Sequence, residues 1–145
     1  MPTLNEILLK PEERPRVIAD CIVLVDAEVA KKSGLTGMAI KAAYAVVKRL
    51  KPGIIREAVD SLLDEFIDKL EPFYAACLGT GEDVQSYFAS RTEIVANALL
   101  GVTDARAARA KNKTIKAAYE KLRPTGVKHT AAAVPGIAAL IRKHA

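Results

Sequence analysis

Apolar residues recur along this chain at steps of three and four, the spacing that gathers them on one side of an α-helix. The alternating runs that β-strands need are missing. Thr3-Leu4-Asn5-Glu6 has the form of a capping box, and the spacing predicts a short helix from there to Leu9, ended by Pro11. Pro15 fits the first turn of a second helix to about Lys32, with Gly34 just beyond its end. Thr36 or Gly37 opens a third helix to Leu50, stopped by Lys51-Pro52-Gly53.

The fourth helix has the clearest pattern. Ile54, Ile55, Ala58, Val59, Leu62, Leu63, Phe66, Ile67 and Leu70 form one stripe, with polar residues at every position between. Its burial is worth roughly 13–25 kcal/mol before entropy, an upper bound because unfolded chains already hide some surface. Pro72 is expected to start or kink a short piece from Phe73 to Leu78, followed by the Gly79-Thr80-Gly81 loop. Thr80 and Asp83 then cap a turn carrying Val84, Tyr87 and Phe88.

Ser90-Arg91-Thr92-Glu93 reads as a second capping box, opening a helix through Ile94, Val95, Ala98 and Leu99. Beyond Gly101, Asp104 is placed as the cap of a helix to about Arg123, with Ile115, Tyr119 and Leu122 as its apolar edge. Pro124-Thr125-Gly126 breaks it. A last helix, interrupted near Pro135-Gly136, carries Val134, Ile137, Ala138 and Ile141. In the third helix only Lys41, Ala45, Lys48 and Arg49 are left for solvent, so it is expected to lie buried among neighbours. The expectation is an all-α, compact, single-domain multi-helix bundle of six to eight helices without β-sheet, spanning residues 1–145 and centred on the second, third and fourth helices.

A chain of 145 residues is long enough to bury a core without disulfides. The two cysteines, Cys21 and Cys77, lie in apolar helical sequence and read as reduced core residues. Met1 to Glu6 has neither a charged leader nor a following apolar run, so no signal peptide is expected. The uncharged stretch from Thr130 to Ile141 is 12 residues, too short to span a bilayer. A cytoplasmic protein is expected, with no transmembrane segment.

Candidate chemistry is sparse. The histidines, His129 and His144, have no cysteine or carboxylate close in sequence, so no metal site and no cofactor is predicted. No Gly-x-Ser-x-Gly elbow occurs, and neither cysteine has a nearby His or Lys in sequence. Gly34-Leu35-Thr36-Gly37 lacks both the strand and the Lys-Ser/Thr of a phosphate loop and reads as a helix stop and start. Glu28 falls within the apolar arc of the second helix near its end, where it reaches solvent or pairs with a lysine.

Charge is uneven. Residues 1–100 carry 12 Lys/Arg against 15 Asp/Glu, and residues 101–145 carry 10 against 2, so −3 and +8 make the net +5. Arg106, Arg109, Lys111, Lys113, Lys116, Lys121, Arg123 and Lys128 crowd 23 residues and are candidate anion or partner contacts. Glu57, Asp60, Asp64, Asp68 and Glu71 form an acidic seam on the fourth helix, a candidate docking face. The basic third either docks on that seam, attracts nucleic acid or an anionic membrane surface, or stays an exposed basic face. Nucleic acid is not favoured, because Tyr119 is the sole aromatic among the charges.

Five segments carry a resemblance: Leu-Val-Asp-Ala-Glu-Val-Ala (24–30), Lys-Pro-Gly (51–53), Leu-Glu-Pro-Phe (70–73), Val-Thr-Asp-Ala-Arg-Ala (102–107) and Ala-Tyr-Glu-Lys-Leu-Arg (118–123). With these the chain resembles a family of small bacterial helical proteins, common in actinobacteria and classed as a domain of unknown function. The resemblance covers the whole chain and implies one complete domain but no activity. The residues themselves point to a non-enzymatic helical domain acting through binding or self-association as a homo-oligomer. Binding of nucleic acid or an anionic surface through the basic third, and carriage of a small apolar ligand in the helical core, are the alternatives.

Overall fold

The computed structural model describes residues 2–145; Met1, the start of the stretch read for a leader, lies outside the described residues. Among them the chain forms eight α-helices and one short 3-10 turn, with no strand. They are α1 (Leu4–Leu8), α2 (Arg14–Ala30), α3 (Gly34–Leu50), α4 (Ile54–Thr80), α5 (Val84–Ala89), α6 (Thr92–Ala108), α7 (Lys113–Leu122) and α8 (Gly126–His144), the 3-10 turn Arg123–Thr125 leading into α8. The Thr3 hydroxyl accepts from the Glu6 amide at 3.1 Å, satisfying one orphan donor of α1 as its capping sequence predicts.

The core gathers around α4, α6 and α8, with α1, α2 and α5 packed on them. Leu4, Leu8, Val17, Ile67, Phe88, Val95, Val134 and Ile141 are its most completely buried large side chains. This corrects the expected centre. Of α3 only Gly37 is buried, while Leu35, Met38, Val46 and Leu50 are exposed. Gly34, at φ +72°, turns the chain into α3, and a Cβ on Gly37 would stand 2.7 Å from the Lys32 carbonyl carbon. That tight corner lays α3 along the outside of α2, α4 and α7 rather than among them.

Pro72 neither starts nor separates a helix: α4 runs through it to Thr80. Proline in a helix interior costs about 3 kcal/mol. Here Tyr74 and Cys77 continue the buried row of Leu63, Ile67 and Leu70, so core packing beyond the proline outweighs the lost hydrogen bond. Pro135 likewise lies inside an unbroken α8, whose Val134, Ala138 and Ile141 are buried on both sides of it.

Two expected caps act differently. Ser90 closes α5, its hydroxyl donating to the Tyr87 carbonyl at 3.0 Å, and Arg91 precedes α6 without a side-chain cap. Asp104 lies inside α6, which continues through Gly101; the cap of α7 is Asn112, whose carboxamide oxygen accepts from Thr114 and Ile115. Asp83 caps α5 through the Ser86 amide, and the Thr80 hydroxyl accepts from the Glu82 amide.

Candidate functional site

The apolar stripe that makes α4 the clearest helix in the sequence does not close onto a filled core. Ile55, Ala58, Val59, Leu62, Leu63, Phe66, Ile67 and Leu70 face a cavity of about 380 Å³. Opposite them stand Val17, Cys21, Leu24 and Val25 of α2, Leu99, Leu100 and Thr103 of α6, and Ile137, Leu140 and Ile141 of α8. Leu63, Ile67, Leu70 and Ile141 at its base are buried; Val25, Ile55 and Leu62 are half-buried, and Ala58 at its mouth is exposed. The cavity is therefore a pocket open beside Ala58, of the size that small-molecule sites occupy.

Its walls offer almost no polar chemistry. The Thr103 hydroxyl is already engaged, donating to the Leu100 carbonyl at 3.1 Å and lying 2.8 Å from the Tyr119 hydroxyl. Burial, reinforced by Asp20, pushes the Cys21 thiol up to about 11, so it lines the wall as a neutral thiol. A charged ligand group inside would lose its hydration with nothing to replace it.

The charged candidates lie on other faces. Arg14 of α2 reaches Asp60 at 2.9 Å and Asp64 at 2.6 Å, and Lys51 reaches Glu57 at 2.8 Å. The Glu71 carboxylate accepts from the backbone amides of Leu4 and Asn5 at 3.0 and 3.3 Å, tying α1 to α4. Asp68 is exposed and has no ion pair among the described residues. The seam's partners are thus α1, α2 and Lys51. Among the described residues, Arg106 is the one cation of the basic third with a polar contact to α4, at Glu65 (2.6 Å) and Ser61.

Arg123 pairs with Asp104 through two bonds of 2.7 and 3.0 Å, and the Tyr119 hydroxyl donates to the same carboxylate. These contacts hold the Asp104 carboxyl below its ordinary range, the guanidinium contributing most. Arg109, Lys111, Lys113, Lys121 and Lys128 are exposed and Lys116 is half-buried; none has an ion pair among the described residues. Glu28 pairs with Lys31, as its position near the end of α2 predicts.

One polar cluster has no counterpart in the sequence reading. His144, 5 % exposed at its side chain, lies between Glu13 and Asp20, with Nδ1 3.0 Å from one carboxylate and Nε2 2.7 Å from the other. Lys143 adds a contact to Asp20 at 3.0 Å, and Lys143 and His144 together pull the Asp20 carboxyl below its ordinary range, Lys143 contributing more. The cluster borders a polar surface depression walled only by α2, its preceding residue Glu13 and the end of α8. No spacing rule links positions separated by more than 120 residues, so only docking of α8 on α2 reveals it. No group of three His, Cys, Asp or Glu side chains converges as a metal site would require among the described residues. No helix among them is long and apolar enough to cross a membrane.

Fold and cavity together define an all-helical bundle with a ligand-sized apolar pocket between four of its helices. The model of a family of unknown function, DUF6918, matches residues 4–145, and the chain belongs to that family. No curated protein and no solved structure matches it.

Proposed function

We propose that this protein acts by binding, and that it holds a small, uncharged, apolar ligand in the pocket between α2, α4, α6 and α8. The observation that carries the reading is that the longest apolar stripe in the chain borders about 380 Å³ of unfilled space beside its packed contacts. Protein interiors are normally filled to crystal density. At roughly 24 cal/mol per Å³ of residual cavity, an enclosed hole of this size would cost about 9 kcal/mol, an upper bound for a pocket with a mouth. That is comparable to the whole stability of a typical domain, so an occupant that restores the missing contacts has much to contribute. The near absence of polar lining, against the charged walls of the His144 depression, favours this reading over one based on that depression.

Titration with N-phenyl-1-naphthylamine, whose fluorescence rises in apolar surroundings, tests it. One probe should bind per chain and be displaced by uncharged aliphatic compounds. Ala58→Trp should occlude the mouth and weaken probe binding at least tenfold while leaving helical circular dichroism intact. A wild-type protein that binds no probe, or an Ala58→Trp protein that binds as wild type does, ends the proposal.

A further inference from the structure

The exposed face of α3 is the largest departure of this fold from its own sequence pattern. A helix this apolar is ordinarily enclosed, yet Leu35 is 90 % exposed, Met38 68 %, Val46 39 % and Leu50 38 %. At 3.6 residues per turn, Leu35, Met38, Ala42 and Val46 fall within one arc of roughly 80°, and all four are exposed. Lys41 and Lys48 stand roughly 60–80° beyond one edge of that arc, and Arg49 falls within it. Gly34–Leu50 contains these three cations and no Asp or Glu.

Cations also flank part of this face, while α4 on another side carries the acidic seam, its Glu57 paired with Lys51 just beyond α3. Lys32, at the corner that opens α3, and Lys128 both stand beside His129. The adjoining α7 adds exposed Lys113 and Lys121. Asp26 of α2 accepts a hydrogen bond from the Tyr44 hydroxyl, and Glu120 of α7 is exposed beside Lys121; Lys48 Nζ lies 5.2 Å from the centre of the Tyr44 ring.

We infer that α3 is a membrane-surface helix, lying in the interface of an anionic lipid bilayer with Leu35, Met38 and Val46 entering the acyl boundary and Lys41, Lys48 and Arg49 among the headgroups. An exposed apolar stripe flanked by cations, on a helix not long and apolar enough to span, suits interfacial binding. A second copy of the chain is the poorer occupant. A two-fold contact would gather the cations of both α3 helices in one interface with no Asp or Glu of α3 to pair them, whereas an anionic surface complements them. The inference does not depend on the pocket's being occupied.

Co-sedimentation of the full chain with phosphatidylserine–phosphatidylcholine vesicles, and with phosphatidylcholine alone, tests it. Binding should require the anionic lipid and weaken as salt is added. Leu35→Ser with Met38→Ser should lower it by about a hundredfold, since each of the two apolar side chains transferred is worth about a factor of ten. Lys41→Glu should lower it as well. Ile94→Ser, at a residue 62 % exposed on α6, should leave it unchanged. Probe binding in the pocket should survive the α3 changes, which separates failure of this inference from failure of the ligand reading. The inference is overturned if anionic vesicles do not retain the wild-type chain, or retain the Leu35→Ser/Met38→Ser protein equally. It is also overturned if light scattering shows a wild-type dimer that this double change converts to monomer, which would assign the stripe to a second copy.

Discussion

Gly136 of α8 lies so close to Leu24 of α2 that a Cβ placed on it would stand 2.4 Å from the leucine Cδ1. Leu24 lines the pocket, so the atom that must move has space on its far side. Replacing Gly136 by Ala therefore sets two effects against each other. Alanine favours the helix by about 1 kcal/mol over glycine, while Leu24 must rotate inward. Thermal unfolding should shift little, within about 1 kcal/mol of the wild type, but probe affinity should fall as Leu24 takes up pocket volume. A Gly136→Ala protein that unfolds far earlier, with probe binding intact, would show that the helices cannot adjust through Leu24.

The Glu71 carboxylate does for α1 what a capping side chain does within one helix, but from 66 and 67 residues away. Glu71→Ala should free the amides of Leu4 and Asn5 and cost about 1–2 kcal/mol. Hydrogen exchange is the sensitive readout: protection should drop at Leu4 and Asn5 and persist in α6. If exchange at those amides stays as in the wild type, the Thr3 cap suffices to hold α1.

Cys21 gives a chemical report on the pocket. With its thiol pushed up to about 11, alkylation by iodoacetamide near pH 8 should be slow and should accelerate as pH rises toward that value. A saturating apolar probe should slow it further, because Cys21 forms part of the wall. Cys77, fully buried and with its thiol also raised, should react more slowly still. Equal rates with and without bound probe would place the probe elsewhere.

Acid should destabilise the fold through Asp20 and Asp104. Both carboxyls lie below their ordinary value of 3.8 in the folded chain, so the unfolded chain takes up protons first as pH falls. Their contribution is complete above that value and is lost as pH drops through the lower folded values. Urea midpoints should therefore decline below about pH 4, and Arg123→Met should make the decline shallower. Because Asp20 faces His144 and Lys143, His144→Ala should lower the neutral-pH midpoint too, by about 1.5–3 kcal/mol of stability, the range for hydrogen bonds to charged groups. A midpoint indifferent to Arg123 would remove that ion pair from the account.

Saturating ligand should raise the unfolding temperature, by mass action, to an extent equivalent to about 2.7 kcal/mol at a hundredfold excess over the dissociation constant. Ala58→Trp should abolish that shift without removing the fold. A shift that persists unchanged in Ala58→Trp would place the binding outside the pocket.

Local physics made most of the helices legible beforehand. The Thr3 cap, Pro15 in a first turn and the three-and-four stripe of α4 act over a few residues, and so can be read along the chain. The apolar walls of the pocket were legible too, as the α4 stripe, but not that they enclose space. Whether facing side chains meet or leave a gap depends on the distances between helices, which no spacing within one helix records.

Prolines 72 and 135 mark where local rules break down. Each removes a hydrogen bond, but buried residues on both sides keep its helix continuous. The place of α3 was decided in the same way. Its composition is that of an enclosed helix, yet the corner at Gly34 and Gly37 and the mutual packing of α4, α6 and α8 leave it outside. His144 between Glu13 and Asp20, and Glu71 against α1, join residues remote in the chain. The amino-acid order by itself determined most of the helical segments and how apolar they are; only the packing of those helices decided which breaks hold, which apolar faces meet, which surround a pocket and which remain exposed, because burial depends on distances between segments rather than along them.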